Sequence, residues 1–283
     1  RAMDRPMINH RGPEFKMIIE DVVAGVKRIC RTQQNLLIYP ASGTGGLEAA
    51  VANFIAPGEK VLAVSIGVFG DRFAEIAARF GARVEKMDFP WGSGADPDRI
   101  KSRIEKDKSG EIKAVLITHN ETSTGACNDI ENIRKAMGDH PALFMVDAVS
   151  GLAAHDLRMD EWNIDVIVSG SQKAFMIPPG LSFMAFSQNA LAKQEANPNS
   201  RFYWDVTLGL QYQEAGQTPF TPPISLYYGL QEALKMLEEE GLENVLTRHR
   251  NYRDMVRSSI RAMGLELFTK DAFASNEIGR AHV

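Results

Sequence analysis

Cysteine is scarce in this chain: 283 residues carry two, Cys30 and Cys127. Neither has a second Cys or a His nearby at zinc-ligand spacing. That excludes a disulfide framework and a zinc module and fits a reducing compartment, the cytoplasm. Long apolar runs are also missing; none approaches the about 20 residues of a membrane-spanning helix. The opening residues, Arg1-Ala2-Met3-Asp4-Arg5-Pro6, lack the apolar core of a signal peptide. A large excess of charge of either sign is missing too. A net charge of −4 supplies no basic footprint for nucleic acid. Internal repeats and low-complexity segments are absent. With nucleic acid and membrane excluded as partners, a small molecule remains.

What is present is an ordinary globular composition, 44% hydrophobic and 24% charged, in a chain long enough for one large core. Short apolar runs alternate with amphipathic segments, the pattern of an α/β fold with a mostly parallel sheet. Helices are expected over 14–29, 47–55, 69–80, 97–106, 130–137, 224–240 and 242–263. Strands are expected over 35–39, 60–64, 83–88, 114–118, 143–147, 166–168 and 181–186. Residues 197–223 lose periodicity and read as a long loop, a kind of segment that is usually functional. Residues 265–269 read as the first strand of a second domain. Residues 275–283 match no element.

Three strand ends carry the chemistry. The run Val166-Ile167-Val168 leads into Ser169-Gly170-Ser171-Gln172-Lys173. A lysine there is either an ordinary solvated loop residue or a desolvated amine of the kind a Schiff-base enzyme uses. Ser42-Gly43-Thr44-Gly45-Gly46 lies between a strand and a helix. Its backbone N–H groups and hydroxyls suit a phosphate, although a plain turn has the same look. Glu48 stands where a dinucleotide fingerprint needs its third glycine, which weakens a nicotinamide reading. Asp147 closes the run Ala142-Leu143-Phe144-Met145-Val146, where a carboxylate can face a cationic ring nitrogen or merely end a turn. Thr118 to Gly125 pack polar groups at another strand end, with His119 as readily structural as catalytic. A phosphate cradle, a carboxylate and a lysine together form the toolkit for pyridoxal phosphate.

These segments, with Pro178-Pro179-Gly180, Asn120-Glu121-Thr122-Ser123-Thr124-Gly125 and Tyr227-Tyr228-Gly229-Leu230, resemble the class V aminotransferases of the alanine–glyoxylate and serine–glyoxylate group over nearly the whole chain. The resemblance implies fold type I: an α/β large domain with helices on both faces of the sheet over 1–240, and the start of a small α+β domain over 241–283. Residues 1–13 would be the remnant of an N-terminal arm. It implies pyridoxal 5'-phosphate as cofactor, a homodimer with shared sites, and transfer of an amino group from serine, alanine or aspartate to glyoxylate or pyruvate.

Carried across, the resemblance makes Lys173 the Schiff-base lysine and proton carrier, and Asp147 the partner of the ring nitrogen. It puts Thr44, Gly45, Gly46 and Gln172 at the phosphate, Thr122 beside the ring, and Phe69 stacked on it. Thr221, in Phe220-Thr221-Pro222-Pro223, would reach the partner subunit's phosphate. It also implies a Pro-Gly-Pro-rich segment upstream and a carboxylate-clamping arginine downstream. Neither falls within these residues, and Arg280 comes too early for the second; a chain ending here is expected to bind cofactor weakly and turn over poorly. A desulfurase-like lyase of the same class would need a cysteine later in the chain than Cys30 and Cys127. A non-catalytic relative of the fold remains the other alternative.

Overall fold

The structure, a computed structural model, describes residues 1–277, 279 and 281–282. The chain runs α1 (Pro13–Cys30), β1 (Asn35–Tyr39), α2 (Gly43–Phe54), β2 (Lys60–Ser65), α3 (Val68–Arg79), β3 (Arg83–Asp88), α4 (Pro97–Glu105) and β4 (Ile112–Thr118). A short hairpin, β5 (Asn120–Glu121) and β6 (Ala126–Cys127), precedes α5 (Ile130–Met137), β7 (Leu143–Asp147), β8 (Val166–Gly170) and β9 (Ser182–Phe186). Then come α6 (Gln188–Glu195), α7 (Val206–Glu214), α8 (Ile224–Glu240) and α9 (Leu242–Ala262), followed by β10 (Glu266–Leu267) and β11 (Ala281–His282).

Seven strands form one sheet in the order β1-β9-β8-β7-β4-β2-β3. Strands β8, β7, β4, β2 and β3 are parallel. Strand β9 runs antiparallel to both of its neighbours, β1 and β8. The sheet is apolar on both faces because helices cover both, as parallel sheets require. Successive residues within a strand divide between two cores. Leu36, Ile38, Leu62, Val64, Val115 and Ile117 pack into the core under α1, α4, α5 and α8. Leu37, Tyr39, Val61, Ala63, Ala114 and Leu116 pack into the core under α2, α3 and α6. This is the period of two that a strand imposes on its side chains.

The α/β architecture with a mostly parallel sheet and helices on both faces is as the sequence pattern leads one to expect, with local differences. The segment 197–223 is not a continuous loop, since it contains α7. Only Val206 and Gly209 of that helix are buried, which is why no apolar periodicity marks it. Its start is fixed from outside: the Asp205 carboxylate accepts the Leu208 N–H at 2.9 Å. The Asn53 side chain accepts the Val206 N–H at 3.2 Å and donates to Trp204 O at 2.7 Å. Helix α6 was not legible either; Ser187 caps it through the Ala190 N–H. Strand β10 spans two residues rather than five and pairs with β11 in the tail that matched no pattern. Arg280 lies outside the described residues.

Because β1, β8, β7 and β4 point the same way, their carboxyl ends and the turn into α2 gather on one edge of the sheet. Open α/β sheets bind ligands at that edge.

Candidate active site

A cleft of about 190 Å³ opens at this edge. Thr44, Phe69, Thr122, Asp147, Gln172 and Lys173 all line it. The strand register explains the meeting of three of these segments. Asp147 pairs with Thr118 of β4 and Val168 of β8, so the residues following β4, β7 and β8 emerge side by side.

The cradle starts four residues earlier in helix than the sequence pattern indicates: Gly43 to Gly46 form the first turn of α2 instead of a preceding loop. Ser42 caps the helix with its carbonyl, which accepts the Gly46 N–H at 3.2 Å. The N–H groups of Gly43, Thr44 and Gly45, ahead of that bond, have no helical acceptor and carry the positive end of the helix dipole. Glycine is required by close approach. A Cβ on Gly43 would lie 2.4 Å from Val149 Cγ2, and one on Gly46 would lie 2.1 Å from Ser182 Oγ. Gly46 thus seats α2 on the sheet, and neither Gly45 nor Gly46 lines the cleft.

Lys173 follows β8 on a loop stapled by Ser171. The Ser171 hydroxyl donates to Pro178 O at 2.8 Å and accepts the Leu181 N–H at 3.2 Å. The Met176 N–H closes the turn on Lys173 O at 2.8 Å. The lysine is half-buried rather than buried. Among the described residues its ammonium has no hydrogen bond or salt bridge.

Asp147 is 3% exposed, and burial pushes its carboxyl up from 3.8 to about 6. The Val149 N–H at 3.0 Å and the Thr118 hydroxyl at 3.4 Å offset only part of that cost. A carboxylate so placed gains by pairing with a cation. Nearby, Glu121 is fully buried and accepts four bonds. Its Oε2 takes the Phe69 and Gly70 N–H groups at 3.0 and 3.1 Å. Its Oε1 takes the Ser123 N–H and hydroxyl at 3.0 and 2.6 Å. Glu121 thereby holds the first turn of α3, which carries Phe69 at the cleft. Gln172 Oε1 and Asn120 Oδ1 are buried with no partner in the protein, polar atoms in want of a ligand or water.

Asn120, from the polar run 118–125, also lines the cleft, as do Ser150 and Arg72, which no sequence motif singled out. Ser150 Oγ accepts from Thr122 Oγ1 and Asn120 Nδ2, each at 3.0 Å, and donates to Asn120 O at 2.8 Å. The Thr122 hydroxyl proton is thus committed to Ser150 and leaves only lone pairs for a ligand. The signal for Arg72 was its spacing, three residues after Phe69 and so on the same helical face. Thr221 is not brought into this cleft. It is exposed on the loop before α8, next to Phe220 and Pro222, which line a separate apolar hollow.

His119 does not line the cleft. Burial drops its pKa to about 4, and its ring packs on His155 at 5.3 Å. Ligand atoms of His119, Cys127 and His155 lie within 4.8 Å of one another. The Asn276 N–H, however, donates to His155 Nε2 at 2.9 Å, which leaves the ring proton on Nδ1 facing Cys127 Sγ 3.3 Å away. His155 and Cys127 are thus hydrogen bonded to each other, while His119 meets them through its ring and keeps a buried Nδ1 without a partner. Burial pushes both Cys30 and Cys127 up to about 12, and neither lines the cleft, so no thiol nucleophile serves this site.

The cleft therefore offers an anion cradle, a carboxylate for a cationic ring, an aromatic face and one free amine. Comparison with known proteins points the same way. The family model described as aminotransferase class-V matches residues 2–277. The L-aspartate–glyoxylate aminotransferase of Paracoccus denitrificans is 41% identical over 271 residues, covering 94% of this chain and 68% of that protein. The serine–glyoxylate aminotransferase of Hyphomicrobium methylovorum is 40% identical over 275 residues, covering 95% of this chain and 68% of its own. The solved alanine–glyoxylate aminotransferase of Nostoc sp. superposes with a TM-score of 0.95 at 27% identity, over all of this chain and 75% of that one. The chain belongs to the class V aminotransferase family.

Proposed function

We propose that this chain is a pyridoxal-phosphate-dependent transaminase that moves the amino group of a small amino acid (serine, alanine or aspartate) to glyoxylate or pyruvate. The observation that carries this is the meeting of Lys173, Asp147 and the first turn of α2 in one cleft. The site fits the cofactor. The α2 turn and Thr44 suit a phosphate, the Gln172 carboxamide lines the same cleft, and Asp147 stays raised to about 6 although the Arg72 charge lowers it, so a ring cation would offset the rest of its burial. When bound, pyridoxal phosphate supplies an electron sink for charge developing at the amino acid's Cα.

The protein's own residues do the rest. Lys173 Nζ would hold the cofactor and would be the amine that takes and returns the Cα proton, since it is the one amine among the described residues lining the cleft. Asp147 keeps the ring nitrogen cationic. Phe69, clamped by Glu121, would offer the ring an aromatic face and exclude water there. Thr44 and Gln172 orient the phosphate, with Gly45 and Gly46 bringing α2 close enough for its N–H groups to reach it. Thr122 accepts from the ring's phenol through its free lone pairs.

A second copy completes the site. Thr221 stands outside its own cleft on an exposed loop, beside Phe202 and Tyr203, which are 74% and 41% exposed. A homodimer that buries this aromatic surface brings Thr221 to the partner's phosphate. Residues 1–240 form the cofactor-binding domain and 241–283 lead into a smaller one. None of the helices among the described residues is long and apolar enough to cross a membrane. The two free cysteines support a cytoplasmic location.

The test is the absorbance of the purified chain with pyridoxal phosphate. The expected result is a band near the visible edge that moves on adding serine, alanine or aspartate and is lost in Lys173→Ala. A chain that stays colourless with the cofactor refutes the reading.

A further inference from the structure

The cleft contains a cation that neither the sequence pattern nor the family resemblance employs. Arg72, on the second turn of α3, is half-buried and lines the same wall as Thr44 and Phe69. Its guanidinium carbon lies 4.6 Å from the Phe69 ring centroid, and its Nη1 donates to Thr44 Oγ1 at 3.4 Å. Among the described residues no carboxylate forms a salt bridge with it, and the buried Asp147 feels its charge only at a distance. Its neighbour Asp71 is taken by Lys86 at 2.7 Å and by the Ser65 hydroxyl at 2.6 Å. A guanidinium held in place by a ring face and one weak hydroxyl contact retains most of its five N–H donors for an anion.

Charge balance says which anion. On the reading proposed above, the phosphate arrives as a dianion. The α2 turn, Thr44 and Gln172 meet it with dipoles alone. Asp147 is matched to the ring nitrogen, and Lys173 is committed to covalent attachment. Among the described residues that line the cleft, Arg72 carries the one full positive charge left for the phosphate. The hydroxyl geometry agrees. Thr44 Oγ1 accepts from Arg72, so its own proton is free to be donated to an anion in the cradle. We infer that Arg72 is the counter-ion of the cofactor phosphate, acting with Thr44 as a paired donor set and bracing the stacking ring of Phe69 from its other side.

The inference rests on the pyridoxal phosphate reading, and the experiment separates the two. The unaltered chain, Arg72→Gln and Arg72→Lys are titrated with pyridoxal phosphate and, in parallel, with pyridoxal, which has the ring and aldehyde but no phosphate. Inorganic phosphate is added to each cofactor-free chain and its effect on thermal unfolding is recorded. Charge-assisted hydrogen bonds of this kind lead to a loss of roughly 10- to 100-fold in pyridoxal phosphate affinity for Arg72→Gln. Pyridoxal affinity stays within about twofold, and the stabilisation by inorganic phosphate disappears. Arg72→Lys restores part of the lost affinity, and that part weakens with added salt.

Equal weakening of pyridoxal and pyridoxal phosphate overturns the inference, because it assigns Arg72 to the ring through Phe69 alone. Unchanged pyridoxal phosphate affinity with a raised KM for the amino donor also overturns it, and moves Arg72 to the substrate carboxylate. If the unaltered chain takes up no pyridoxal phosphate, the functional reading falls and the inference falls with it.

Discussion

Asp147→Asn is expected to stabilise the cofactor-free protein at neutral pH while impairing its chemistry. The carboxyl is buried and ionises near pH 6 in place of 3.8, a shift equivalent to about 3 kcal/mol. The sign follows from the direction of the shift. Below about pH 3 the group is neutral in both the folded and the unfolded chain and costs nothing. As pH rises, the unfolded chain loses this proton first, so the folded state binds more protons and stability declines with pH. The loss is complete above about pH 7. An asparagine keeps the shape and the acceptor for the Val149 N–H but never ionises. Urea unfolding of both proteins from about pH 4.5 to 7.5 isolates the group by difference. The variant's advantage is expected to grow by about 2 kcal/mol over that window, the remainder of the 3 having accrued at lower pH. Saturating pyridoxal phosphate is expected to abolish the advantage, because a ring cation stabilises the carboxylate. A stability difference that stays flat with pH, or an asparagine variant less stable at pH 7.5, refutes the reasoning.

Gly46→Ala drives a methyl to 2.1 Å from Ser182 Oγ in a packed helix–sheet contact. A stability loss of about 1–3 kcal/mol is expected in denaturant unfolding, together with weaker cofactor binding as α2 is lifted from the sheet. Glu121→Ala leaves the Phe69, Gly70 and Ser123 N–H groups without their acceptor. A destabilisation on the order of 2–4 kcal/mol is expected, with pyridoxal phosphate quenching Phe69-dependent spectral signals less than in the unaltered chain. Phe202→Asp places a charge on the exposed aromatic surface formed with Tyr203, whose ring stacks on Phe220 at 4.7 Å. Light scattering is expected to show a shift toward monomer, with cofactor affinity falling in parallel; an unchanged dimer argues against this surface as the interface.

Much of this protein is determined by its sequence alone. The alternation of short apolar runs with amphipathic segments specifies the α/β sheet, because a strand buried on both faces and a helix buried on one have different periods that survive any context. The lysine after β8, the carboxylate ending β7 and the glycine turn opening α2 were legible as well, since each needs only a strand end and the right residue type. Tertiary structure alone decided what lies outside those rules. Helix α7 depends on the Asn53 side chain, more than 150 positions away in sequence. The first turn of α2 is helical because Gly43 and Gly46 fit against Val149 and Ser182, a contact that no local propensity for glycine foretells. Glu121 became the clamp of α3, and Arg72 a free cation beside Thr44, only once the sheet had brought β1, β2 and β4 together. Residue type and spacing name the groups a site contains. Long-range packing decides which of them keep a charge that nothing else in the fold has neutralised.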